Sequence, residues 1–188
     1  PITMNKLNFK TILVLLFSVS LAISSCKKDD TSLNEDTSFS NDDALAESIY
    51  DNVSNISDEA YDLGSSNLKT TDGNKIFLSD CVTITLDTTV MPGVLTIDFG
   101  EENCLCNDGK YRRGKIIVTF TGPYKEEGTV ITHGFDGYYV NDNNIDGTKV
   151  VTNMGPNEEG HPYFTIAITG VIQLADDGGT ISWNATKT

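Results

Sequence analysis

The sequence predicts a mainly β domain of the α+β class: an antiparallel meander, built as a curved sheet or half-barrel and preceded by one amphipathic helix. Three observations predict it. Apolar residues recur at helical period as far as Leu63 and at a period of two beyond Asn74. Turn signals containing Gly or Pro cut the second part into short runs. No helical crossover of about ten residues, which parallel neighbours would need, lies between those runs. A two-sheet β-sandwich without helix contact is the alternative architecture.

Composition sets the outer bounds. The 188 residues suit one folded domain. Eight Phe, seven Tyr and one Trp are too aromatic for a wholly disordered chain. Asp and Glu number 27 against 13 Lys and Arg, a net charge of −14. Such a surface repels phosphate backbones, so no nucleic-acid partner is expected.

The first element reads as an address. Lys6 and Lys10 precede an apolar run from Thr11 to Ile23, with Met4 as the expected start of translation. The run is shorter than the about 20 residues of a membrane-spanning helix, and a charged front before a short apolar middle is the pattern of a signal peptide, residues 1–25. It ends Ile23-Ser24-Ser25-Cys26, which resembles the bacterial lipobox, where a Cys thiol is lipidated and the chain is cut just before it. The resemblance implies lipidation of Cys26 and a membrane tether that does not span the bilayer. Lys27, Lys28, Asp29 and Asp30 follow, and Lys28-Asp29-Asp30 resembles the export signal that carries Bacteroidota lipoproteins to the outside of the outer membrane. Removing residues 1–25 takes away two Lys and no acid, leaving 11 basic against 27 acidic residues, a charge of −16.

Residues 26–40 hold only Leu33 and Phe39 as sizeable apolar residues and are expected to be a flexible tether. The domain is expected at residues 41–188. Its helix is expected to start at Ser40 or Asn41 as N-cap, with Asp42 and Asp43 favouring the positive end of the macrodipole, and to stop at Gly64. Leu45, Ile49, Val53, Ile56, Ala60 and Leu63 form its apolar stripe; Asp51, Asp58, Glu59 and Asp62 are expected on its solvated side.

Strands are expected around Val82–Leu86, Leu95–Phe99, Ile116–Phe120, Phe164–Leu174 and Ile181–Trp183, with further strand-like stretches at Tyr138–Val140 and Lys149–Val151. Turns are expected at Pro92-Gly93, Asp108-Gly109, Gly122-Pro123, Asp146-Gly147 and Asp177-Gly178-Gly179. About seven to nine strands result. Thr188 follows directly on the last, which leaves room for another beyond it.

Several places bear on chemistry. With Cys26 lipidated, Cys81, Cys104 and Cys106 remain in an exported chain, so a disulfide from Cys81 to either Cys104 or Cys106 is expected, contributing about 3 kcal/mol. Asp142, Asn144 and Asp146 before Gly147 match the start of a calcium loop, but the twelfth position is Asn153 and the flanks look like strands, so a hairpin turn is the competing explanation. Lys110, Arg112, Arg113 and Lys115 form a basic cluster suited to a carboxylate or sulfate on a glycan or partner; pairing with Asp98, Glu101, Glu102 or Asp108 competes. Phe135, Tyr138, Tyr139, Tyr163, Phe164 and Trp183 are either core or sugar-stacking platforms, and the adjacent Tyr138 and Tyr139 must face opposite sides of a strand. His133 and His161 lie in separate segments with no Ser or Cys elbow beside them, phosphate-binding Gly loops are missing, and carboxylate pairs are too common here to be specific. No enzyme activity and no cofactor are expected.

The stretch Asp98-Phe99-Gly100, Cys104, Asp108-Gly109 and Arg112 to Ile116, followed by Phe135, Tyr138 to Asn141 and Gly147-Thr148, resembles a group of Bacteroidota lipoproteins of uncharacterised function. The likeness covers residues 42–188 and the lipobox, and it implies class and location but no activity. The expectation is a surface-exposed outer-membrane lipoprotein, held by its lipid, whose β domain is a non-enzymatic binding or envelope-structural module for a glycan or envelope protein. A periplasmic carrier of a lipid or other apolar ligand is the alternative, and a hydrolase the third.

Overall fold

The computed structural model describes residues 33–65 and 76–188, with side chains from Ser40. The chain divides into units Pro1–Thr37 and Ser38–Thr188; the second contains every contact discussed below. The expected signal peptide at residues 1–25, and Cys26, Lys28, Asp29 and Asp30, lie outside the described residues.

Helix α1 (Leu33–Ser65) begins about two turns before the expected N-cap, since nothing between Leu33 and Phe39 breaks a helix. Part of the expected tether is therefore helical. Eight strands follow: β1 (Thr83–Asp87), β2 (Gly93–Asp98), β3 (Cys104–Leu105), β4 (Tyr111–Phe120), β5 (Val130–Val140), β6 (Asn143–Pro156), β7 (Pro162–Gln173) and β8 (Thr180–Lys187). All pair antiparallel in one open sheet of order β1-β2-β4-β5-β6-β7-β8, with β3 hydrogen-bonded to β4. The described residues thus form the meander with its helix, and the sandwich alternative is overturned: there is one sheet, and α1 covers its apolar face.

One turn moves. Val140 pairs with Asn143, so the β5–β6 hairpin turns on Asn141 and Asp142, both left-handed with φ of 48° and 65°. Two such residues make the turn that matches strand twist. Asp146-Gly147, expected as a turn, runs inside β6 opposite Val171 and Gly170.

Period-two alternation sends Leu95, Ile97, Ile116, Val118, Phe120, Ile145, Ile168, Ile172 and Ile181 inward, all buried. The helix meets them with Ala46, Ile49, Tyr50, Val53, Ile56, Ser57 and Ala60. Ile49, Val53, Ile56 and Ala60 of the expected stripe are buried, Ala46, Tyr50 and Ser57 widen it, and Leu45 stays 36% exposed. Tyr50 packs flat on Trp183, ring centres 5.7 Å apart, and edge-on to Phe135 at 6.0 Å. Its hydroxyl donates to the Asp146 carbonyl at 2.7 Å. The ring lies where a Cβ on Gly170 would stand, so only glycine at that strand position admits it.

The helix acids are not simply solvated. Asp51 lies 3.3 Å from Lys187 and 3.5 Å from Lys149, Asp58 accepts from Tyr124 at 2.9 Å, and Glu59 accepts the backbone N–H groups of Ile76, Phe77 and Leu78 at 3.0–3.1 Å. Beside them a disulfide joins Cys81 to Cys104, 23 positions apart, and Cys106 is a buried free thiol.

Two measurements check this core. Tyr50→Ala should cost about 3–5 kcal/mol and Gly170→Ala about 1–3 kcal/mol in denaturant unfolding. The double variant should cost less than their sum by about 1 kcal/mol, since the added methyl enters space the ring has left; strict additivity would show that the two residues do not interlock. For the bridge, a chain beginning after Cys26 keeps three Cys. Alkylation of the unfolded chain should add one label without reductant and three with it, and three labels in both cases would exclude the disulfide.

Candidate functional site

The basic cluster divides across the sheet, because its members alternate along β4. Arg112 points inward and is fully buried. Its NH1 and NH2 donate to the two carboxylate oxygens of Asp108 at 2.7 and 2.6 Å, and NH2 also donates to Asn52 Oδ1 at 2.7 Å. Such a forked pair holds a guanidinium charged in spite of burial: burial works against the Arg112 charge, but Asp108 more than offsets it and its pKa is raised. Burial likewise opposes ionisation of Asp108, and Arg112 reverses that too, leaving the carboxyl below its usual range. Arg112 is therefore a strut between β4 and the helix, and its place in a surface ligand patch is corrected. Lys110 sits in the β3–β4 turn, where its backbone N–H meets Asp108 Oδ1 at 3.3 Å and its carbonyl accepts from Cys106.

Arg113 and Lys115 face the side the helix leaves bare. Arg113 lies over the Tyr139 ring, 3.8 Å from its centre, donates to Asn103 Oδ1 at 2.8 Å and pairs with Asp142. Lys115 pairs with Asp98 at 3.1 Å. Between them the ladder slips: Arg113 stands opposite Tyr139 and Lys115 opposite Asp136, so β5 carries one extra residue at Gly137. Gly114 (φ 79°) and Gly137 (φ 53°) make this close crossing possible, since a Cβ at Gly114 would collide with the Gly137 carbonyl. The bulge opens a polar groove of about 460 Å³ lined by Asp98, Glu101, Arg113, Lys115, Asp136 and Tyr139. Three carboxylates against two cations give it no net positive charge. A carboxylate or sulfate clamp does not fit that balance; alternating donors and acceptors suit a hydroxyl-rich ligand.

The calcium reading does not survive the geometry. Asp142 is in the turn and paired with Arg113, whereas Asn144 and Asp146 extend along β6. Asn144 Nδ2 donates to the Tyr138 carbonyl at 3.3 Å, and Asp146 Oδ1 accepts from Gly147 N–H at 2.6 Å. Oxygens strung along a strand do not converge on one cation. Among the described residues no three His, Cys, Asp or Glu side chains gather as a metal site.

Of the aromatic residues, Tyr138 is buried and its ring stacks on Phe135, while Tyr139 forms part of the groove. Burial raises the pKa of Tyr138, and of Tyr50, pushed up to about 12. His161 lies in the exposed β6–β7 turn.

A second recess lies on the helix side. Ile131, His133, Val151, Phe164 and Ile166 from the sheet, with Ser54, Asp58 and Tyr124 above, line a cavity of about 210 Å³. The sequence does not mark His133 or Lys149 as buried polar residues, although a legible signal exists: His133 shares the inward phase of Ile131, and Lys149 that of Ile145 and Val151. Lys149 is 1% exposed, and Nζ donates to the Tyr50 carbonyl at 2.8 Å. Burial lowers its pKa, with Asp51 opposing. His133 is 2% exposed; Nδ1 lies 3.2 Å from the Lys149 carbonyl and Nε2 has no partner. Ser54 and Asp58 border the same cavity without bonding to that nitrogen, so the trio is not a relay. Comparison with protein-family models, curated proteins and solved structures returns no match to this chain.

Burial, ahead of all other influences, lowers the His133 pKa from 6.5 to about 4. At pH values above 6.5 both folded and unfolded chains carry a neutral imidazole. Between 6.5 and 4 only the unfolded chain takes the proton, so stability falls as pH falls, and below 4 this group costs nothing further. The loss should reach about 3 kcal/mol. Urea unfolding across that window reads it, and His133→Gln should remove the slope; an unchanged slope would mean that another group causes it.

Proposed function

We propose that this chain is a lipoprotein, anchored by an acylated Cys26 and displayed on the surface of a bacterial outer membrane, whose β domain is a non-enzymatic binding module for a hydroxyl-rich ligand such as a glycan. The relation to Bacteroidota lipoproteins is part of the same proposal. The observation that carries the binding assignment is the groove of about 460 Å³ opened by the β4–β5 bulge on the uncovered face of the sheet. Its two cations are held in place, Arg113 by Asp142 and the Tyr139 ring and Lys115 by Asp98, so little ordering of these side chains remains to be done when a ligand arrives. The address is supported by the sequence alone: the short apolar run, Cys26 at its end, and Lys28, Asp29 and Asp30 after it.

A carrier of an acyl chain is less well supported, because the recess beneath the helix, at about 210 Å³, is below the about 300 Å³ at which pockets for drug-sized ligands begin. A hydrolase has no matching constellation among the described side chains.

Two experiments separate address from binding. Radiolabelled palmitate should enter the wild-type chain and not Cys26→Ala, and protease added to intact cells should remove the domain. Label persisting in the variant would refute the anchor; protection from protease would place the domain in the periplasm. On a glycan array the wild-type domain should retain a subset of sugars that Arg113→Ala binds about tenfold more weakly, and equal retention would rule out the groove.

A further inference from the structure

Helix α1 is longer than the sheet it covers, and the excess lies beyond the edge strand β8. Near its end, a Cβ on Gly64 would touch Ile84 and Leu86 of β1, while Glu47 accepts from Lys187 of β8 at 2.6 Å. That interval is about 26 Å of helix, close to the about 29 Å spanned by the strands from β1 to β8. The helix therefore crosses the sheet from one edge to the other. From Glu47 back to Ser40 it continues for about 10 Å, or about two strand widths. Every residue from Ser40 to Leu45 is exposed or half-buried.

Beneath this projection β8 presents an unprotected edge. The Leu174 N–H donates to the Gly179 carbonyl at 2.9 Å. Antiparallel alternation then turns the backbone of Ile181, Trp183, Ala185 and Lys187 toward β7, and that of Thr180, Ser182, Asn184 and Thr186 outward. Among the described residues those outward groups have no backbone partner. Edge strands are ordinarily kept short or blunted by charge, proline or a bulge. The other edge, β1, has five residues and ends on Asp87; β8 has eight, with no Pro, Gly or acid among them.

We propose that the free edge of β8 takes up an extended segment of a partner protein as the next strand, its Lys or Arg side chains pairing with Asp42 and Asp43 under the projecting helix. Main-chain bonds supply the affinity of such strand addition, and side chains supply the choice of partner. Asp42 and Asp43 continue the inward phase of Ala46, Ile49 and Tyr50, and neither forms an ion pair among the described residues. Half-buried Trp183 and exposed Leu45 offer apolar surface to the same segment. A second copy is a poor occupant: pairing β8 with β8 would drive each projecting helix into the space above Trp183 that the other's helix fills. This edge is separate from the groove and from the lipid anchor.

The probe is the peptide Thr-Lys-Thr-Val-Thr-Ile-Thr-Lys-Thr, whose Lys, Val and Ile share one face, beside a version with Glu for Lys. Both are titrated into the full chain and followed by calorimetry and amide exchange. The Ser182 and Asn184 N–H groups should exchange freely in the chain alone and at least about tenfold more slowly with the Lys peptide. The Glu peptide should bind about tenfold more weakly. Ser182→Pro removes one outward N–H and no bond to β7, so it should weaken the Lys peptide by about tenfold. Asp42→Lys with Asp43→Lys should reverse the preference between the peptides; if Ser182→Pro does not fold, this reversal decides. Unchanged exchange with the Lys peptide, or equal binding of the two peptides, would overturn the proposal. Slow exchange of both N–H groups in the chain alone would also overturn it, showing an edge already covered by another segment or a second copy.

Discussion

The domain depends on the seating of Tyr50 in the sheet. An open single sheet with one apolar face is not a stable object in water; something must cover that face. Here the cover is one helix, and Tyr50 is where it locks. The ring fills the place of the missing Cβ of Gly170, stacks on Trp183, and its hydroxyl and backbone carbonyl are both engaged by β6, through Asp146 O and Lys149 Nζ. Hydrophobic area alone would let a helix slide or rotate on a smooth sheet. A ring in a glycine slot with two directional bonds fixes the rotation, and so decides that Ala46, Val53 and Ser57 face inward while Leu45 faces out.

That seating explains which parts of the architecture were legible. The class of fold follows from a change of hydrophobic period, a property of many residues at once, and the eight strands lie within the expected range. The helix stripe follows in part: Ile49, Val53, Ile56 and Ala60 are buried as their spacing predicts, whereas the burial of Tyr50 depends on the slot at Gly170 and Leu45 is left exposed. The β5–β6 turn was hidden for a related reason. Asn141-Asp142 and Asp146-Gly147 are both good turn sequences; but a turn at the second would take Gly147 away from its close crossing of β7 at Gly170 and remove the Asp146 carbonyl that Tyr50 uses. Arg112 was readable: counting by two from Ile116 and Val118 puts it on the inward face. Proximity in sequence to three other cations obscured it.

The two faces of the sheet are built for different chemistry. On the covered face, His133 and Lys149 interrupt apolar rows, and Lys149 is satisfied while one nitrogen of His133 is not. On the open face the slip at Gly137 opens a concavity in the ladder and sets Tyr139, Arg113 and Lys115 around it. Neither feature is a motif in the linear sense. The groove takes residues from β2, β4 and β5 and the loop after β2, and the cavity from β5, β6, β7, the helix and the β4–β5 loop. Spacing along the chain does not reveal such sites, because what joins their parts is strand register.

The distribution of charge narrows what the groove can accept. The chain has 13 basic residues against 27 acidic ones, and the structure uses its cations internally: Arg112, Arg113, Lys115, Lys125, Lys149 and Lys187 each lie against a carboxylate. Such pairs at a surface contribute little stability individually. Each pair is locally close to neutral, and because the acids outnumber the cations the outward potential is negative. An anionic polymer approaching the open face would be repelled before reaching Arg113 or Lys115, and would then have to displace Asp142 or Asp98 to bind them. A neutral polyhydroxylated ligand faces neither barrier, since its hydroxyls can bridge the existing pairs without breaking them. On the binding role proposed above, a groove whose two cations are already paired on an acidic surface would favour uncharged polar ligands.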